Sequence, residues 1–172
     1  MSRTKFKASN PASRILIVDD HPAVREALAL RISRQPDLEV CGEAADMSEA
    51  LRLVASTKPD VAVVDISLKS GNGIDLIKRI IDRNKRIRIL VWSMHGESLY
   101  AERALRAGAL GYINKDQATD TIVEAIRRVL AGKVWLSEAT AQRMLQRERR
   151  AGRKAPRCAS TRQGCGRVCC GP

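Results

Sequence analysis

Five apolar runs, each followed by a stretch with helical periodicity, organise residues 14–131. The runs are Arg14–Val18, Leu38–Glu43, Val61–Asp65, Ile87–Trp92 and Gly111–Ile113. They are close to continuously apolar rather than alternating, which is the pattern of strands covered on both faces. Between them, Pro22 opens "AVREALALRIS", in which Val24, Leu28 and Ile32 share one helical face. Ser48 is the expected cap of "EALRLVAST", and Gly73 opens "IDLIKRIIDR". Glu97 begins "ESLYAERALRAG", with Gly108 as its stop, and Thr119 or Asp120 caps "TIVEAIRRVLAG", which ends on Gly132. Strict strand–helix alternation predicts an α/β fold, a doubly wound five-stranded parallel sheet with helices on both faces. Beyond it, "VWLSEATAQRML" reads as one further helix with Ser137 at its N-cap.

The ends of the chain read differently. No apolar periodicity continues past Gln146, and the composition shifts to Arg, Gly, Cys and Pro. The expected organisation is a basic extension over 1–13, a domain over 14–131, a linker helix over 132–146 and a basic tail over 147–172. Both extensions are expected to be disordered.

Composition changes this picture in two places. Of 172 residues 44% are apolar but only 3% aromatic, so the core must be built from Ile, Val, Leu and Ala. The net charge of +12 suggests a nucleic-acid binder until it is divided along the chain. Residues 1–13 contribute +3, residues 147–172 contribute +7 from eight Lys/Arg against Glu148, and residues 14–146 only +2. A basic tail is an electrostatic handle on phosphates, not a module that reads bases. No apolar run approaches the ~20 residues needed to span a bilayer, and no apolar segment follows the basic N-terminus as in a signal peptide. A cytoplasmic protein without membrane contact is expected. Cys41 lies in a strand-like context as a small core residue, while Cys158, Cys165, Cys169 and Cys170 crowd the tail in a spacing that matches no zinc pattern well.

The chemistry is at the strand ends. "RILIVDD" runs a core strand into Asp19 and Asp20, and "VAVVD" ends another at Asp65. In open α/β sheets ligands bind beyond the carboxyl ends of the strands, where strand order reverses. With the order 2-1-3-4-5 the first and third strands are neighbours at that reversal, and three carboxylates meet. They repel one another unless a cation sits among them, and an oxygen-rich acidic cluster suits Mg²⁺. The alternative is that each acid simply caps the helix that follows. At the same edge, "RILVWS" finishes at Ser93 and "LGYIN" finishes before Lys115. A hydroxyl and an ammonium beside such acids can hold phosphoryl oxygens. Taken singly, Ser93 as a turn residue and Lys115 as a solvated charge are the more common readings.

Together, "ILIVDD", the aspartate of "VAVVDISLKSGNG", the serine of "LVWS" and the lysine of "AGALGYINK" resemble the receiver domain of two-component response regulators. The resemblance covers about residues 14–131, and "DDHP" and "NKD" place it nearest the NarL/FixJ (LuxR-type) family. It implies a flavodoxin-like receiver fold. Asp65 is then the phospho-acceptor for a sensor histidine kinase, acting with Ser93 and Lys115. Mg²⁺ is then held by Asp19, Asp20, Asp65 and the backbone carbonyl of Ser67. Ser93 and Tyr112 are implied as switch residues, though Tyr112 fits equally as core. Ser67 and His95 are implied to modulate dephosphorylation, and His95 reads equally as an ordinary loop residue. The protein is then a signalling phospho-acceptor rather than an enzyme acting on other molecules, with possible homodimerisation on phosphorylation.

Two departures stand out. Lys69 lies four residues after Asp65, where many receivers have proline. The helix-turn-helix output domain of the family has no counterpart in 147–172, whose few apolar residues cannot bury a three-helix core. A stand-alone receiver and a truncated or frame-shifted transcription regulator both fit that tail, which is expected to bind DNA only non-specifically. A Mg²⁺-dependent phosphatase fits less well, since Ser67 stands where a general acid is needed.

Overall fold

Residues 15–18 are fully buried at the centre of the protein, and the rest of the fold is arranged around them. The computed structural model describes residues 11–69, 71–116 and 121–153. The strands are β1 Ser13–Val18, β2 Leu38–Ala44, β3 Val61–Val64, β4 Ser67–Leu68, β5 Gly71–Asn72, β6 Arg88–Ser93 and β7 Gly111–Asn114. The helices are α1 Pro22–Ser33, α2 Met47–Thr57, α3 Gly73–Arg83, α4 Glu97–Arg106, α5 Thr121–Leu130 and α6 Glu138–Arg153. Five of the strands form the parallel sheet expected from the alternation, in the order β2-β1-β3-β6-β7, which is the order the receiver resemblance implies.

Alternate residues of each strand feed opposite cores. Leu16, Val18, Ala62, Val64, Ile89, Val91 and Tyr112 pack with α2, α3 and α4 on one face. Ile15, Ile17, Val61, Val63, Leu90, Trp92 and Ile113 pack with α1 and α5 on the other. Each fully buried Ile or Leu contributes roughly 1.5–3 kcal/mol, which is why strands covered on both faces need apolar residues at every position. Leu28 and Ile32 are buried on α1 as expected, with Val24 packed against the same cluster.

Several boundaries differ from the sequence expectation, each for a local reason. The cap of α2 is Asp46, not Ser48: its side chain accepts from Glu49 N at 2.9 Å, while Glu49 Oε2 accepts from Ala45 N at 3.0 Å. This is close to a capping box, in which an acid three residues into the helix returns the bond. Asp65 lies just beyond the strand that was expected to include it, with its N–H donating to Val18 O at 2.9 Å. The hairpin β4–β5 is too short for alternation to reveal it. Gly108, at φ 108°, follows α4 as the expected stop. The alternative caps of α5, Thr119 and Asp120, lie outside the described residues.

The largest correction concerns the C-terminal segment. The last helix does not end at 146; it runs to Arg153, so 147–153 are helical rather than disordered, while 132–137 precede the helix. Ala, Gln, Arg and Glu favour helix without any apolar stripe. α6 is also fastened to α4, because Ser137 N donates to Glu97 Oε1 at 2.8 Å and Arg147 pairs with Glu102 at 2.5 Å. The segment before it covers the free edge of β7 through Tyr112 N to Trp135 O at 3.0 Å and Trp135 N to Leu110 O at 2.9 Å. Cys41 is half-buried, 3.5 Å from Thr57 Oγ1, and the four tail cysteines lie outside the described residues. Among the described residues no helix is long and apolar enough to cross a membrane.

Candidate functional site

The carboxyl ends of β1, β3, β6 and β7 converge on one acidic crevice. β1 delivers Asp19 and Asp20, and β3 delivers Asp65; all three residues are almost entirely buried, at 2, 9 and 3% exposure. The placement of Asp65 depends on the start of α3. Gly73 N donates to Ile66 O at 2.9 Å, and a Cβ on Gly73 would meet the carbonyl oxygen of Asp65 at 2.1 Å. Only glycine permits that approach. Asn72 then caps α3 by accepting from Ile74 N at 2.9 Å.

Lys115, just past the end of β7, supplies the counter-charge. Its Nζ lies 2.5 Å from Asp19 Oδ2 and 2.7 Å from Asp65 Oδ2, and 5.5 Å above the ring of Trp92. Lys115 N donates to Ser93 O at 2.9 Å, which fixes the β7 end to the β6 end. Burial pushes the Asp65 carboxyl up, but hydrogen bonds from Lys115 and Ser93, the Lys115 charge and the Ser67 N–H outweigh it, so the group lies below its ordinary value. Asp65 is therefore an ionised carboxylate, able to attack an electrophile. Asp19 also accepts from His21 N at 2.9 Å.

Asp20 is held differently. Its Oδ1 is buried and has no hydrogen-bond partner, although His21 Nδ1 comes within 2.8 Å. Lys69 Nζ lies 3.8 Å from its Oδ2. A buried carboxylate oxygen left unmatched is costly, and one side chain atom from each of Asp19, Asp20, His21 and Asp65 lies within 4.8 Å of the others. The donor set, rich in carboxylate oxygen with one unmatched atom, fits a hard divalent cation such as Mg²⁺.

The remaining expected residues line the mouth. Ser67 N donates to Asp65 Oδ1 at 3.2 Å, and Ser67 Oγ lies 2.6 Å from His95 Nε2 across the opening. The His95 ring stacks on Tyr100 with centroids 4.7 Å apart. Ser93 is fully buried, and its Oγ accepts from His95 N at 3.4 Å. Tyr112 is buried, its hydroxyl donates to His95 O at 2.8 Å, and burial pushes its pKa up to about 12. All eight site residues singled out in the sequence thus belong to one connected region. Four contributors were not singled out for this role: Gly73, His21, Trp92 and Tyr100. The glycine alone had a usable signal, a Gly at a helix start shortly after a strand-end acid.

The response regulator receiver domain family matches residues 15–127 of the chain. The chain belongs to this family. Receiver domains are signalling modules, and a phosphoryl-acceptor role is general to the family. The transcriptional regulatory protein LiaR of Bacillus subtilis is 35% identical over 142 residues, covering 83% of the chain and 67% of LiaR. The nitrate/nitrite response regulator NarL of Escherichia coli K12 is 33% identical over 125 residues, 73% of the chain and 58% of NarL. The chain therefore spans about three fifths of the length of the curated relatives it matches. Among solved structures, a LuxR-family response regulator from Aurantimonas sp. superposes with a TM-score of 0.74 at 39% identity, covering 80% of the chain and 98% of that structure. These relatives place the receiver among the NarL/LuxR-type response regulators.

Proposed function

We propose that this receiver takes a phosphoryl group from the phosphohistidine of a sensor histidine kinase onto Asp65, in a Mg²⁺-dependent reaction, and signals by a change of conformation. The observation that carries this reading is the division of labour among the acids. Lys115 bridges Asp19 and Asp65, while Asp20 keeps a buried oxygen without a hydrogen-bond partner. In the transfer, the bond from phosphorus to the kinase imidazole nitrogen breaks as a bond from phosphorus to an Asp65 carboxylate oxygen forms. The product is an acyl phosphate. Asp19, Asp20, Asp65 and the Ser67 carbonyl would hold Mg²⁺, which when bound neutralises charge on the phosphoryl oxygens. Phosphoryl transfer needs in-line placement and electrostatic stabilisation more than covalent help from the protein. Lys115 and Ser93 then grip the transferred oxygens.

The added phosphate brings close to two negative charges at pH 7. Ser93 and Lys115 follow it, and the backbone around His95 moves with them. Tyr112, hydrogen-bonded to His95 O, senses that shift as the switch residue. The Ser67–His95 bond lies over the mouth and governs access of the water that hydrolyses the acyl phosphate. In this reading the receiver catalyses only its own phosphorylation and dephosphorylation. It works in the cytoplasm, with homodimerisation on phosphorylation as one output. The names of LiaR and NarL support a regulator of transcription as the protein it serves. DNA contact by the basic residues of 147–172 themselves is non-specific and steeply salt-dependent.

The test is incubation with acetyl phosphate and Mg²⁺ followed by intact mass. A single phosphoryl adduct, absent in Asp65→Asn and absent when Mg²⁺ is chelated, is expected. Adduct formation undiminished in Asp65→Asn would sink the assignment.

A further inference from the structure

Lys69 is the unexplained charge of this site. It follows Leu68 in the β4–β5 hairpin, which is fixed at both ends: Leu68 is buried in the core, and Asn72 caps α3. From there its ammonium comes to 3.8 Å from Asp20 Oδ2, although the side chain is 77% exposed. The other two carboxylates are already matched. Asp19 has Lys115 and His21 N, while Asp65 has Lys115 and Ser67 N. Among the described residues, Lys69 is the only Lys or Arg within ion-pair distance of Asp20.

We infer that Lys69 is a competitor for the divalent-cation site, a positioning residue whose ammonium occupies the field of Asp20 until a metal ion displaces it. The inference rests on the reading of Asp19, Asp20 and Asp65 as a Mg²⁺ site. The ammonium acts in two ways. It satisfies part of the charge of Asp20 without the metal, and it repels the dication as that approaches. The pair is exposed on the lysine side, so the lysine can swing into solvent and its hold is weak. Lys69 therefore raises the Mg²⁺ concentration at which the acceptor becomes competent without blocking the site. Lys115 differs in that its ammonium is buried and paired with both Asp19 and Asp65, without the exposed path into solvent open to Lys69.

The experiment is calorimetric titration of the whole chain with MgCl₂ at low ionic strength, comparing wild type, Lys69→Ala, Lys69→Arg, Lys133→Ala and Asp20→Asn. Lys133 is an exposed cation in the segment leading to Trp135, at the other end of β7 from Lys115. Lys69→Ala should bind Mg²⁺ on the order of tenfold more tightly than wild type, the size expected for removing one unit charge ~5 Å from a dication in a water-like dielectric. Lys69→Arg should stay near wild type, Lys133→Ala should be unchanged, and the gap should shrink with added KCl. Equal affinities for wild type and Lys69→Ala, with binding lost in Asp20→Asn, would overturn the role of Lys69 and leave the metal site standing. An equal gain in Lys133→Ala would also overturn it, since overall charge would then explain the effect. No Mg²⁺ binding by wild type or Lys69→Ala would remove the metal reading itself and the inference with it.

Discussion

The chain leaves β1 and β2 in similar ways, with acids just past the strand and a helix immediately after, yet the two loops do different chemistry. Beyond β2, Asp46 turns back to the first turn of α2 and accepts from Glu49 N, and Glu49 answers by accepting from Ala45 N. The acids are used up by the helix. Beyond β1, the N-cap of α1 is His21, without a side-chain cap, and Pro22 at the first turn has no N–H to offer. Asp19 is turned toward Lys115, and Asp20 keeps an unmatched oxygen. β2 is an edge strand, whereas β1 has β3 beside it, so only the β1 loop receives a third carboxylate and a lysine from across the sheet. An acid at a strand end is a cap when its own helix can satisfy it and part of a site when neighbouring strands do.

Removing the shared lysine should break that contrast most severely. Lys115→Met leaves Asp19 and Asp65 facing each other without their common counter-charge, and truncating one partner of a buried ionic pair costs on the order of 3–5 kcal/mol. Urea denaturation in metal-free buffer should show that loss, with part of it recovered by added Mg²⁺. A loss under about 1 kcal/mol would mean that the crevice is better solvated than its burial indicates.

A smaller and more pointed contrast comes from neutralising one acid in each loop. Asp46→Ala should lower stability by about 1 kcal/mol, the usual worth of an N-cap, with acetyl phosphate labelling of Asp65 intact. Asp20→Asn should instead raise stability by about 1 kcal/mol in chelator, because it relieves a buried unmatched carboxylate, and should abolish the stabilisation by Mg²⁺ seen in wild type. If both substitutions destabilise alike in chelator, Asp20 is a structural acid and the contrast fails.

The smallest effect belongs to Asp37, an acid at the opposite end of the sheet. Arg127 binds both its oxygens, at 2.8 and 2.7 Å, and this hydrogen bonding holds its pKa below the ordinary 3.8. A depressed carboxylate pKa contributes stability that is present above the unfolded value and lost as pH falls through the folded one. Both side chains are nearly half exposed, so screening reduces the contribution to a few tenths of a kcal/mol. Thermal melts should show wild type slightly above Asp37→Asn near neutral pH, with the gap closing as pH falls below about 3.8. A gap that persists in strong acid would assign it to packing rather than charge.

Much of this protein is legible along the chain. The five main strands and the parallel sheet follow from strict alternation and apolar runs, because a strand covered on both faces must be apolar at every position, while the strand order comes with the family resemblance. Asp19, Asp20, Asp65, Ser93 and Lys115 are also legible as a cluster, because each stands at or just beyond a strand end, whereas Ser67, His95 and Tyr112 come only with the family resemblance. Helix ends were harder. Asp46 outcompetes Ser48 because the cap is chosen by geometry over three residues, and α6 runs past its last apolar residue because helix propensity needs no stripe. Lys69 stood out only as a substitution for proline; its approach to Asp20 depends on a hairpin too short to leave a pattern.

By itself the sequence determined the architecture, the edge of the sheet where the acids gather and the family to which they belong. These depend on local propensity and burial, which are written into neighbouring residues. The tertiary structure alone decided which acid meets which base. Lys115 lies between Asp19 and Asp65, Gly73 lies against the backbone of Asp65, and Asp20 keeps a buried oxygen without a hydrogen-bond partner. The two lysine pairings join residues 96 and 50 positions apart, and electrostatic energy depends on distances of a few ångströms that only the packed sheet sets.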